Sequence, residues 1–89
     1  MRVLTLNLWG RRGAWEERRL VLSAGLRDLQ ADLIAFQESI VTDTYDQILD
    51  LLGENYHVHH HSIREPDGQG ISIVSRWPFH NVHELDLQV

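Results

Sequence analysis

Asn7 and Glu38 are the residues of this sequence best placed to do chemistry. Asn7 is lodged in the apolar run Val3-Leu4-Thr5-Leu6-Asn7-Leu8-Trp9-Gly10. Its amide must either bond neighbouring backbone or face something polar such as a bound ion, because a buried polar group without a partner costs free energy. A second apolar run, Leu33-Ile34-Ala35-Phe36, ends in Gln37-Glu38, and Glu38 sets a carboxylate at what reads as a strand end. His57, His59 and His61 stand at alternate positions, so a strand would project them from one side. Three imidazoles suffice in principle for Zn²⁺, but along a straight strand they are too far apart to converge on one ion, and a solvated strand face is the better reading. Ser75 has no Gly-x-Ser-x-Gly setting, and His80 and His83 have no visible nucleophile, so hydrolase triads are excluded. Gly68-Gln69-Gly70 lacks the Lys and following helix of a phosphate loop and reads as a turn. Arg76 has the reach for a phosphate but fits a structural pairing with Asp or Glu better.

The elements that must position these groups follow from periodicity. Val3 to Leu8 reads as a strand buried on both faces, stopped by Gly10. Trp15, Leu22, Leu26 and Leu29 fall on one helical face, which predicts a helix from Ala14 to about Gln30, with Glu16 and Glu17 in its first turn and Gly25 as a mild weakness. Leu33 to Phe36 is a second buried strand. Two strands joined by a helix of this length make a crossover unit that brings Asn7 and Glu38 to the same sheet edge, where ligands of open α/β sheets bind. Thr42 and Asp43 are candidate N-caps for a shorter helix carrying Tyr45, Ile48, Leu49 and Leu52 and ending at Gly53. Tyr56 to Ile63 reads as a strand, Arg64 to Gly68 as a turn, Gly70 to Ser75 as a clear strand stopped by Arg76-Trp77-Pro78, and Val82 to Val89 as a last strand. The predicted order is strand-helix-strand-helix-strand-strand-strand, an α/β arrangement. Trp15 and Trp77 read as packing residues.

Size and composition narrow the classes. At 89 residues the chain is one domain at most, with a modest core. Hydrophobic content of 43% and charged content of 24% are those of an ordinary globular sequence, without a run long enough to cross a membrane. The N-terminus lacks the pattern of a signal peptide, so the cytoplasm is the default compartment. The absence of cysteine excludes disulfides and thiolate metal sites. A formal net charge of −5 argues against a broadly basic nucleic-acid surface, although Arg11, Arg12, Arg18 and Arg19 form a local basic patch.

Three stretches taken together resemble the endonuclease/exonuclease/phosphatase superfamily, the group with the deoxyribonuclease I fold. They are Leu4 to Gly10, Ala31-Asp32-Leu33-Ile34-Ala35-Phe36-Gln37-Glu38, and Gly70-Ile71-Ser72-Ile73-Val74-Ser75-Arg76-Trp77-Pro78, in this order and with a Trp-and-Leu helix between the first two. The resemblance covers nearly the whole chain. It implies the N-terminal part of a four-layer α/β sandwich, and a hydrolase cleaving phosphodiester or phosphomonoester bonds. In that family the strand-end Asn and Glu help hold a divalent ion, which assigns Asn7 and Glu38 as metal and catalytic residues. Mg²⁺ is the implied cofactor, with Mn²⁺ as its alternative, since hard ions take oxygen ligands.

The resemblance also has gaps. Many members acting on nucleic acids carry Asp two residues after the strand-end Asn, where this chain has Trp9. Asn-x-Trp-Gly looks more like the sphingomyelinase-type and lipid-phosphodiester branches. The substrate classes left open are nucleic acid, phospholipid and inositol phosphate. The family's later His, Asp-x-Asn pair and terminal Asp-His pair have no counterpart here. Residues 1–89 are therefore expected to be a truncated domain, inactive alone and missing its C-terminal half as partner. The competing reading is a non-catalytic binding or scaffold remnant of the same fold.

Overall fold

The structure is a computed structural model that describes residues 1–79. The six elements are β1 (Val3–Asn7), α1 (Trp15–Leu29), β2 (Leu33–Ile40), α2 (Gln47–Leu52), β3 (His57–His60) and β4 (Gln69–Ser75). The order agrees with the sequence as far as it can be followed. The strand expected over Val82 to Val89, with His80 and His83 beside it, lies outside the described residues.

The strands form a single sheet in the order β1-β2-β4-β3. β1 and β2 are parallel, with Val3 beside Leu33 and Asn7 beside Gln37. Their connection through α1 is the expected crossover. β4 runs antiparallel to both β2 and β3.

Alternation along the strands decides what lies inside. Ile34, Phe36 and Val74 point to the helices and are buried with Trp15 and Leu26 of α1 and Ile48 and Leu51 of α2, while Leu4, Leu6 and Val58 pack against this core. The opposite face carries Thr5, Ala35, Ile73 and His59 in one cross-strand row. No helix covers that face among the described residues. The expectation that β1 is buried on both faces is thereby corrected: it is an edge strand whose Val3, Thr5 and Asn7 are exposed and whose Leu4 and Leu6 are half-buried.

Other boundaries also moved, each for a physical reason. β2 continues four residues past Phe36 to Ile40 because its pairing with β4 resumes after a bulge between Phe36 and Ser39. The N-cap of α2 is Asp46, whose carboxylate accepts from the amides of Ile48 and Leu49 at 3.0 and 3.1 Å. Thr42 and Asp43 lie instead in a loop closed by the Val41–Asp46 bridge, so Tyr45 precedes the helix. Trp15 is buried as expected, but Leu29 and Trp77 are half-exposed. Arg76 takes the structural role: it pairs with Asp32 at 3.3 Å and donates to the Gln30 carbonyl at 3.1 Å. That carboxylate also accepts the Arg2 amide at 2.8 Å, so one aspartate ties together the sheet edge opposite Asn7.

A candidate metal corner at the ends of β1 and β2

β1 ends at Asn7 because the side chain turns back on the chain. Its Oδ1 accepts the Trp9 amide at 2.8 Å, an Asx turn that takes the backbone out of the strand. This is the first of the two outcomes expected for a polar group at that place. Trp9 and Gly10 then adopt left-handed conformations, with φ of 58° and 56°. For a bulky residue such as Trp9 that is a strained state, held only where the surroundings enforce it.

Two side chains supply that enforcement, one half-buried and one fully buried. Arg18 of α1 donates to the carbonyls of Leu8, Gly10 and Arg12 at 3.0, 3.3 and 2.6 Å. Gln47, fully buried at the start of α2, donates to the Gly10 carbonyl and accepts the Ile40 amide, both at 2.8 Å. The β1–α1 turn is thus fixed to both helices and to the end of β2.

Beyond the regular ladder, β1 still follows β2. The Leu8 amide donates to the Gln37 carbonyl and the Gly10 amide to the Glu38 carbonyl, each at 2.9 Å. Glu38 does not close its strand, as the sequence suggested, but occupies the bulge inside it in a left-handed conformation with φ of 55°. A bulge re-aims the side chain it carries. Here the glutamate lines the same shallow depression as Gln37, Ile63, Gln69 and Ile71. Arg64 locks the next residue by donating to the Ser39 carbonyl at 2.7 Å and to its hydroxyl at 2.8 Å. The Glu38 carboxylate, about a third exposed, is paired with Arg12 at 3.5 Å.

The structure therefore brings Asn7 and Glu38 to one edge, on adjacent parallel strands, as the crossover required. The three alternate histidines are not brought together: among the described residues no group of three His, Cys, Asp or Glu side chains is placed to hold a metal. Ser75 is buried and accepts the Trp77 amide at 3.0 Å, in keeping with its exclusion as a nucleophile. His60, which the sequence did not single out, joins Asp46 at 2.8 Å and Ser72 at 2.7 Å. Ser72 in turn shares a 2.7 Å bond with Ser39. The order acid, imidazole, hydroxyl imitates a hydrolase triad, but Ser72 is fully buried and cannot meet a substrate. This chain of bonds supports the bulge instead.

On the other side of the turn, Arg11 lies 4.4 Å above the Tyr45 ring. The Tyr45 hydroxyl donates to Asp50 at 2.6 Å and accepts from the Trp15 indole at 3.0 Å. Burial, reinforced by the hydrogen bond to Asp50, pushes the Tyr45 hydroxyl up to about 12.

The sequence model of the endonuclease/exonuclease/phosphatase family matches residues 4–89, nearly the whole chain. The chain belongs to that family. No curated protein and no solved structure matches it. Membership makes it a domain of phosphoesterase type within a family of hydrolases, and the α/β sheet with its crossover helix is the corresponding fold. Within the family domain, Arg12, Arg18 and Gln47 are the site's structural neighbours that sequence reasoning missed. Arg12 and Arg18 were visible only as members of a basic patch, and Gln47 carried no signal at all.

Proposed function

We propose that this chain carries the metal corner of a Mg²⁺-dependent phosphoesterase, with Asn7 and Glu38 as protein ligands and a phosphodiester or phosphomonoester as substrate. The observation that supports it most is the placement of an amide and a carboxylate on adjacent parallel strands of one sheet edge, with Glu38 re-aimed by its bulge. The residues fit such an ion. Glu38 already faces a cation in Arg12. Asn7 Oδ1 accepts one amide and keeps a second lone pair. Two oxygen donors are few for Ca²⁺ but suit Mg²⁺, which keeps several waters and binds through one or two carboxylates plus substrate phosphate. A bound ion there would polarise the phosphoryl oxygen and stabilise the leaving group. Arg18 and Gln47 hold the turn that carries Asn7, and Arg64 holds the bulge that carries Glu38. Nucleic acid, phospholipid and inositol phosphate all offer the group this corner would engage.

The test is hydrolysis of bis(p-nitrophenyl) phosphate and p-nitrophenyl phosphate by the complete gene product, with Mg²⁺ or Mn²⁺ and with a chelator. The expected result is metal-dependent turnover that Glu38→Ala lowers by about 100-fold or more, the scale on which one transition-state stabiliser acts. An alanine variant that keeps the wild-type rate at saturating Mg²⁺ would remove Glu38 from the mechanism. Metal-dependent binding of a phosphate ester without turnover would favour the scaffold reading.

A further inference from the structure

Arg12 and Glu38 make an unusual pair for a candidate ligand. The guanidinium sits 3.5 Å from the carboxylate, with the two side chains 53% and 32% exposed. The arginine's backbone is anchored, its carbonyl accepting from Arg18 at 2.6 Å and its amide donating to the Trp9 carbonyl at 3.3 Å. Only the side chain is free to leave. An exposed pair of this kind holds by about 0.2–1 kcal/mol, and a guanidinium and a divalent ion repel one another over the same carboxylate.

We infer that Arg12 is a displaceable counter-ion for Glu38: it occupies the carboxylate in the metal-free protein and is released toward the substrate phosphate once Glu38 ligates. Arg12 thereby couples the two binding events, so that an anion and a divalent cation bind cooperatively at this corner. The inference rests on the metal reading proposed above. Coupling of this sort is reciprocal, so it is measurable from the cation side alone.

Arg11 is the natural control. It lies in the same turn and carries the same charge, but its guanidinium is held over the Tyr45 ring. Mn²⁺ binding to the whole chain is measured by electron paramagnetic resonance, with and without inorganic phosphate, for wild type, Arg12→Ala, Arg11→Ala and Glu38→Gln. Far-ultraviolet circular dichroism checks that each variant is folded. Without phosphate, Arg12→Ala is expected to bind Mn²⁺ about two- to five-fold more tightly than wild type, the factor that breaking an exposed pair allows. Arg11→Ala should show less than half that gain. Phosphate should tighten Mn²⁺ binding in wild type and in Arg11→Ala but not in Arg12→Ala. Equal effects of the two arginine variants, or phosphate coupling that survives in Arg12→Ala, overturn the counter-ion role and leave the metal reading standing. Unchanged Mn²⁺ binding by Glu38→Gln removes the metal reading itself, and this inference with it.

Discussion

At the scale of single residues, the candidate site is built on backbone states that most side chains avoid. Glu38 holds φ of 55° in the middle of a strand, where glycine would be the easier choice. If function rather than stability keeps a glutamate there, Glu38→Gly will be more stable than Glu38→Ala by about 1 kcal/mol in urea denaturation, because both remove the carboxylate but only glycine relieves the angle. Equal stability of the two variants would mean that the bulge stores no strain. Gly68 is the opposite case, with φ of 92° and a would-be Cβ only 2.5 Å from the Val41 carbonyl. Gly68→Ala should therefore cost about 1–3 kcal/mol and loosen the bond from the Val41 amide to the Gly68 carbonyl. That Asn7 and Glu38 come to the same edge of the sheet was legible in the sequence, because a polar residue at the end of an apolar run is conspicuous and the crossover sets the two strands side by side. The bulge was not, since nothing in Gln37-Glu38-Ser39 advertises a left-handed residue. The Arg12 pairing was equally hidden, because the fold of the turn selects which of several arginines reaches the carboxylate.

At the scale of elements, the start of α2 shows why the sequence reading missed the cap. Thr42, Asp43 and Asp46 are all acceptable N-cap types, and the choice among them is made by the Val41–Asp46 bridge and the bond from the Thr42 amide to the Tyr45 carbonyl. Asp46→Ala should lower stability by about 0.5–2 kcal/mol, through the lost cap and the lost partner of His60. Tyr45, just before that helix, gives a pH signature. Its hydroxyl is raised from 10.0 to about 12, so below the lower value it is protonated whether the chain is folded or not. As pH rises between the two values the unfolded chain loses the proton first, and the stability the neutral hydroxyl contributes is lost. Chemical denaturation should show this decline in wild type and a smaller one in Tyr45→Phe. The crossover β1-α1-β2 was readable throughout, because apolar periodicity switches plainly from strand to helix and back.

At the scale of the whole molecule, the described residues cover only one face of the sheet. Val3 is 68% and Ile71 47% exposed, and nearby Ile63 is 56% exposed. The sandwich implied by the family resemblance would place a second layer on this face. Residues 1–89 expressed alone should therefore bind a hydrophobic dye and self-associate, and Ile71→Lys should reduce both. A monomer that melts cooperatively above about 60 °C, high for a small domain, would contradict that expectation. Fold class and the order of elements along the chain were legible because they follow from which segments are apolar and how long they are, whereas the sheet order β1-β2-β4-β3 was not. One face stays open among the described residues because both helices pack on the other, and the clean alternation of β1 between half-buried and exposed residues was not legible in its apolar run. The central claim is that a divalent ion binds between the end of β1 and the bulge in β2, and paramagnetic broadening by Mn²⁺ in the amide NMR spectrum tests it most directly. The predicted result is that Asn7, Trp9, Gly10 and Glu38 broaden first and that Glu38→Gln abolishes the effect. Broadening that instead begins at His57 and His59, or that persists unchanged in Glu38→Gln, would contradict it.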